Sequence, residues 1–462
     1  MFRQISLLAI SMLALAACGG GDDKTTTEDT AAFDRYPYPS TYTPRPSETV
    51  LITNATILDG VGNKIEDGSI LLEDGRIAAI GADLEAPDGA STIDARGKWV
   101  TPGIIDNHSH LGVYASPGVD AHSDGNEITA PVTAEVWAEH GVWPQDPGFT
   151  RALAGGITSL QVLPGSANLF GGRGVILKNV LGRTVQDMKF PDAPYTLKMA
   201  CGENPKRVYG GRGQAPGSRM GNFAGYRQTW VNAVEYKRKW DKFAEDGGDP
   251  PSRDLEMDTL SGVLAGDILV HMHCYRADEM VQVLDMAEEF GYKVTSFHHG
   301  VEAYKIADRL AEADTCASIW ADWWGFKMEA YDGVRENLPM VHQAGACAIV
   351  HSDSDVGIQR LNQEAAKAWS DGRRAGLDIS QADAWTWLSS NPAKSLGIFE
   401  ETGSLEVGKA ADVVIWTGDP FSVFTKAEQV YIDGALFFDL NNDSLLPVTD
   451  FELGQPGQGD RK

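Results

Sequence analysis

Two kinds of apolar pattern alternate along this chain, and the switches between them divide it into regions. From residue 49 to 98, short apolar runs such as Val50-Leu51-Ile52 and Ser69-Ile70-Leu71-Leu72 are separated by turn residues. Asp74-Gly75 then leads into Arg76-Ile77-Ala78-Ala79-Ile80. An Asp-Gly pair between two such runs predicts a hairpin, because a tight turn needs left-handed backbone there. The same character returns in Val413-Val414-Ile415-Trp416 and Gln429-Val430-Tyr431-Ile432-Asp433-Gly434. Strands from both ends of the chain thus predict one small β-sandwich, which requires the ends of the intervening region to lie close together.

Between residues 101 and 397 a different pattern repeats: an apolar strand, a polar or glycine-bearing loop, then helical spacing. Asp267-Ile268-Leu269-Val270-His271 is followed by helical periodicity from Asp278 through Phe290. Lys293-Val294-Thr295-Ser296-Phe297-His298 is followed by the same from Val301 through Ala313. Strand–helix alternation predicts an α/β fold with a parallel sheet. Its length and about eight repeats fit a (β/α)8 TIM-type barrel, with chemistry at the strand C-termini. The expected organisation is a signal peptide at 1–17, a lipidated Cys18 with a flexible tether to residue 48, and sandwich strands at 49–100. The barrel then occupies 101–397, the remaining sandwich strands 398–440, and a tail 441–462.

The N-terminus reads as a targeting segment. Met1-Phe2-Arg3 carries a positive charge, and the apolar stretch at 5–17 is too short and wrongly flanked to span a membrane. Leu15-Ala16-Ala17-Cys18 resembles a bacterial lipobox, which implies cleavage before Cys18 and lipid on its thiol. Gly19 after the cysteine suits an exported protein held at the outer membrane and facing the periplasm. The plainer alternative is a signal peptide with an incidental cysteine. Residues 19–48 are Thr-, Asp- and Pro-rich and predict a tether.

The formal net charge of −26 argues against nucleic acid or anionic lipid as partners, leaving the lipid anchor as the expected link to a membrane. Cys201, Cys274, Cys316 and Cys347 sit in separate apolar runs without close-spaced pairing, which predicts buried free thiols.

Chemistry enters with His108-Ser109-His110, at the end of the apolar run that begins at Trp99. Residues two apart on a strand point the same way, so both rings aim at one point, as a shared metal ion needs. Further candidate ligands close other predicted strands: Glu203, His273, His299 and Asp353. Imidazoles with one or two carboxylates suit Zn2+ or a similar divalent ion. His271 and His273 share a face, and His273 stands nearer the strand end. Alternation sends His298 away from the face that His299 uses. His351 reads as a buried, hydrogen-bonded neighbour of Asp353.

These pieces resemble the amidohydrolase superfamily of metal-dependent hydrolases, and within it the imidazolonepropionase-like amidohydrolases. The matching segments are 100–110 (Val-Thr-Pro-Gly-Ile-Ile-Asp-Asn-His-Ser-His), Pro164-Gly165-Ser166-Ala167-Asn168, and 202–210 (Gly-Glu-Asn-Pro-Lys-Arg-Val-Tyr-Gly). Arg276-Ala277-Asp278, His299-Gly300 and Gly408-Lys409-Ala410-Ala411-Asp412 also match. The resemblance implies metal binding by His108, His110, His273 and His299, with Asp353 as a further ligand and catalytic base. It puts Glu203 where relatives carry a glutamate or a carboxylated lysine, often bridging two metals, so one or two ions are expected. Lys178 is a competing bridging residue, in an insertion between the third and fourth strands.

The expected reaction is hydrolysis of an amide or cyclic-amide C–N bond by metal-activated water, in a small substrate such as a dipeptide or N-acyl amino acid. Arg207, Tyr209, Arg219, Tyr275 and Arg276 are candidate substrate-binding residues, with tryptophans 320, 323 and 324 as an apolar wall. Two alternatives stay open: a heterocycle deaminase on the same scaffold, and a non-catalytic binding lipoprotein with a structural metal. An oligomer is compatible with the resemblance, although no feature of the chain demands one.

Overall fold

The structure is a computed structural model that describes residues 36–442 and residue 445. The signal segment, Cys18, the first part of the tether and nearly all of the tail lie outside the described residues. No helix among the described residues is long and apolar enough to cross a membrane.

Eight strands form the central sheet in sequence order: Ile104–Ser109, Ile157–Val162, Phe170–Lys178, Thr196–Ala200, Leu269–Cys274, Val294–His299, Cys316–Ile319 and Ala348–Val350. Between the last strand and the first, backbone amides bridge the seam. Asp353 donates to the His108 carbonyl at 3.0 Å, while Ile105 and Val350 donate to the Leu388 and Trp387 carbonyls at 2.9 and 3.1 Å. The result is a nearly closed barrel with helices outside it. Ala277–Phe290 illustrates why they dock: it buries Met280, Val283, Met286 and Ala287 along one stripe and stops at left-handed Gly291.

One strand departs from the expected all-parallel order. Phe170–Lys178, anticipated as an insertion, is the third strand of the barrel and runs antiparallel to both neighbours. The link at 163–169 is too short for a helical crossover, so the chain turns straight back. Lys178 accordingly ends far from the imidazoles. It bonds to Asp433 at 2.8 Å and lies 3.8 Å from Asp412, as an ordinary ion pair. Gly103 must be glycine where the first two barrel strands touch: a Cβ there would fall 2.0 Å from Thr158 Oγ1.

The second sheet joins both chain ends, as the sequence predicted, but as one continuous ladder. Val413–Trp416 pairs antiparallel with Trp99–Pro102, which in turn lies parallel to Val50–Leu58. The hairpin at Asp74-Gly75 has φ of 50° and 78°, the left-handed pair expected of its sequence. A separate apolar cluster, including Ile52, Ile57, Leu72, Val100 and Val413, fills this sheet's inner side.

Two expectations are corrected. Residues 36–48 are packed along the body of the protein. Tyr36 stacks on Tyr195 at 5.4 Å, the Tyr42 hydroxyl donates to Asp433 at 2.6 Å, and the Arg45 guanidinium lies 4.2 Å over the Phe437 ring. Prolines hold this stretch extended while its tyrosines supply apolar area, so docking costs little chain entropy.

The four cysteines form two disulfides, Cys201–Cys274 and Cys316–Cys347. Each joins adjacent parallel strands, whose residues are distant in sequence yet neighbours in register, a pairing that spacing along the chain does not reveal. Closing loops of 73 and 31 residues constrains the unfolded chain by about 4 kcal/mol each in the chain-entropy account. Replacing Cys316 and Cys347 together by alanine should therefore lower the Tm by several degrees; an unchanged Tm would show that this bridge contributes nothing.

Candidate metal centre

The C-terminal ends of the first, fourth, fifth, sixth and eighth strands converge on one point. His108 is fully buried, and its Nε2 faces His110 Nε2 at 3.3 Å. Asp353 Oδ1 stands 3.1 Å from His110 Nε2 and 3.4 Å from His108 Nε2, and its Oδ2 is 3.9 Å from His299 Nδ1. The His299 ring lies 4.8 Å from that of His108 and 4.6 Å from that of His273. Asp353 reaches this point because its backbone is left-handed, with φ of 49°, just beyond the last strand.

The donor set fits a cation. His110 Nδ1 lies 2.8 Å from the Leu163 carbonyl, which can only accept, so Nδ1 carries the proton and Nε2 presents a lone pair. That lone pair, His108 Nε2 and an Asp353 oxygen crowd together with acceptors facing one another. Among the described residues, both ring nitrogens of His273 and Nδ1 of His299 are buried without a hydrogen-bond partner. Such groups are costly unless something positive satisfies them. Burial also pushes His108, His273, His298 and His299 well below the usual imidazole range, and His271 and His351 down to about 3. At neutral pH all six rings are uncharged, so those that face the centre can donate electron pairs.

The structure brings His108, His110, His273, His299 and Asp353 to this point with three further neighbours. These are His351, expected as a hydrogen-bonded neighbour of Asp353 but with neither ring nitrogen bonded to it, and His298 and Lys198, which sequence reasoning missed. His351 stacks over His108 at 5.1 Å, and one ring nitrogen from each of His108, His299 and His351 lies within 4.8 Å of the others, a group that could hold a metal ion. His298, expected on the opposite face, also points into the barrel and contacts His108 Nδ1 at 2.8 Å. Simple alternation fails here because His299 has φ of 73°, which turns its side chain back toward the same interior. Lys198 is the third. It is fully buried, with Nζ 3.4 Å from His108 Nε2, and burial pushes its ammonium down to about 8. A lysine inside the otherwise apolar Leu197–Ala200 run was the available signal.

Glu203 sits elsewhere. It opens the helix Glu203–Gly210 beyond the fourth strand, pairs with Lys327 at 3.3 Å, and takes no part in the groups of residues suited to a metal. The physical reason is the turn at Gly202, whose φ of 77° carries the chain out of the strand before Glu203 is reached.

The substrate-binding candidates divide. Tyr275 lines the centre, with its ring 4.7 Å from His273 and the Lys327 ammonium 4.2 Å above it. Arg219 is held by Glu279 at 2.9 Å and by Glu329, and Arg276 is paired twice with Asp278 at 2.9 and 2.8 Å. The Tyr209 hydroxyl donates to the Ala130 carbonyl at 2.6 Å, and Arg207 lies on an exposed helix face. Arg219, Arg276 and Tyr209 are thus held by local partners, whereas the Arg207 charge acts on Tyr275 and Lys327 beside the centre. The aromatic wall is present: Trp320 stacks on His299 at 4.2 Å, and Trp323 stacks on Trp320 at 5.2 Å.

Residues 99–445 match the model of the amidohydrolase family. The chain is 33% identical over 405 residues to amidohydrolase tasK of Hapsidospora irregularis, covering 82% of this chain but only 41% of that much longer protein. Imidazolonepropionase of Mesorhizobium japonicum is 24% identical over 388 residues, covering 78% of this chain and 90% of that one. Among solved structures, an amidohydrolase from Thermotoga maritima superposes with a TM-score of 0.78 at 36% identity, covering 84% of this chain and all of the other.

Proposed function

The chain belongs to the amidohydrolase family, and from that premise we propose that it hydrolyses an amide or cyclic-amide C–N bond in a small substrate. One or two divalent cations, Zn2+ by the nature of the donors, would be held by His108, His110, His273, His299 and Asp353. The observation that carries this reading is the set of neutral imidazoles with unmet ring nitrogens, gathered with a carboxylate at the strand ends.

Lys198, rather than Glu203, would add an anionic group to the residues that hold the cation. Its uncharged amine would add to carbon dioxide to give a carbamate and release one proton, and the product would present two oxygens sharing one negative charge beside His108. When bound, a divalent cation supplies Lewis-acid chemistry, acidifying water and polarising a carbonyl. Asp353 then does the proton work: a carboxylate oxygen takes the proton from water as it attacks the carbonyl carbon, and returns it to the departing nitrogen. Its side chain is 24% exposed, so it meets both the buried ligands and an incoming substrate. Tyr275 and Trp320 close the sides of the centre and exclude bulk water.

The same surroundings support a substrate class. Trp320, Trp323 and Phe326 continue outward from His299, with Phe326 set edge-on to Trp320 at 5.7 Å. Lys327, half-buried beside Tyr275 and bonded to Asn204 at 3.0 Å, lies 6.0 Å from the Phe326 ring and adds a cation to this wall. An N-acyl amino acid or dipeptide with a large apolar side chain and a free carboxylate would use both. Export with anchoring through Cys18 belongs to the same reading. Two disulfides support it, because such bonds persist in oxidising compartments.

The test is product analysis on a panel of dipeptides, N-acyl amino acids and cyclic amides. Release of an amine together with a carboxylate, strongest for aromatic side chains, supports the proposal. Release of ammonia from heterocycles would make the chain a deaminase instead, and no turnover of any class would leave only a binding protein.

A further inference from the structure

A line of hydrogen-bonded side chains runs inward from His108, through the barrel interior, to a backbone carbonyl near the chain's last helices. His108 Nδ1 lies 2.8 Å from His298 Nδ1, His298 Nε2 lies 2.8 Å from His271 Nδ1, and His271 Nε2 lies 3.1 Å from the Ser395 carbonyl. All three rings are fully buried. Neither the proposed reaction nor the donor set described above uses His298 or His271.

The polarity of this line is fixed from its far end. The Ser395 carbonyl can only accept, so His271 Nε2 carries a proton. Gln161 settles the other nitrogen. Its Nε2 donates to the Asn107 carbonyl at 2.7 Å, which identifies the amide nitrogen, and the same atom lies 3.2 Å from His271 Nδ1. His271 Nδ1 is therefore an acceptor. His298 Nε2 must then donate to it, which leaves His298 Nδ1 as an acceptor. His108 Nδ1 must in turn donate to His298, so the lone pair of His108 sits on Nε2, the atom that faces His110, Asp353 and Lys198.

We propose that His298, braced by His271 and Gln161, is a positioning residue that fixes the Nδ1–H tautomer and the ring orientation of His108. The inference rests on the reading of His108 as a metal ligand. His110 obtains the same tautomer directly from the Leu163 carbonyl, whereas His108, deeper in the barrel, obtains it through two intervening rings. Groups that orient a ligating imidazole commonly change metal affinity by about 10–100-fold when removed.

The experiment has two arms, both independent of turnover. In the first, the metal-free wild-type protein is labelled with 15N-histidine, and the His108 nitrogens are assigned by their loss in His108→Gln. Nδ1 in the protonated, pyrrole-type form supports the relay, and protonation at Nε2 overturns it whatever the variants do. In the second, Zn2+ affinity is measured by chelator competition for wild type, His298→Leu and His298→Gln. We expect His298→Leu to lose about 10–100-fold in affinity. His298→Gln, whose amide oxygen can still accept from His108 and whose nitrogen can donate to His271, should recover part of it. Equal affinity in wild type and a folded His298→Leu overturns the role of His298. A wild-type protein that binds no Zn2+ at all would instead remove the metal reading beneath it, while the spectrum would still report the tautomer.

Discussion

Asp353→Asn should retain its metal and lose turnover by about 10²–10⁴-fold, the range that proton transfer by a positioned group contributes. Asparagine suits this test because it keeps the side chain's shape and tolerates left-handed backbone, which the φ of 49° requires. Alanine would add backbone strain to the loss of the carboxylate and blur the result. The amide cannot take a proton from water, yet it still presents an oxygen toward His110 and His108. Metal content and kcat, measured on the same preparation, separate the two effects. Wild-type turnover would remove Asp353 from the proton path, and loss of both metal and turnover would make it chiefly a ligand.

Lys198→Met should weaken metal binding by more than the ~10–100-fold that changes beyond the direct ligands cost. Methionine preserves most of the volume of a fully buried side chain, so the barrel need not collapse around a cavity. In the wild type, intact mass should show one added carbon dioxide, retained when bicarbonate is supplied and lost on acid treatment. Glu203→Gln is the matching control. Its partner is Lys327, so metal affinity should stay near wild type. If Glu203→Gln lost the metal and Lys198→Met kept it, the glutamate would be the bridging ligand after all.

The contrast between these two residues shows what the chain's pattern could convey. Periodicity gave the barrel and the two-ended second sheet, because apolar runs of strand and helix length repeat in order and a fixed hand follows. His108, His110, His273, His299 and Asp353 were legible because each closes an apolar run. What alternation could not convey was where backbone geometry breaks the alternation. Positive φ at Gly202 carries Glu203 away from the centre, and positive φ at His299 turns its side chain into the interior that His298 already faces. The antiparallel third strand was hidden because its direction follows from the length of a loop. The disulfides were hidden because their partners meet only through the register of parallel strands. Lys198 was in plain view, a lone charge in an apolar strand, but its meaning depends on the ring it touches.

If the imidazole–carboxylate centre works through a bound cation, activity must follow the metal off the protein and back. The protein would be stripped with a chelator, assayed on an aromatic N-acyl amino acid that the untreated enzyme cleaves, and assayed again after Zn2+ is restored. Cleavage should vanish on stripping and return with about one or two ions bound per chain. Undiminished cleavage by protein shown to be metal-free would contradict the metal-dependent reading.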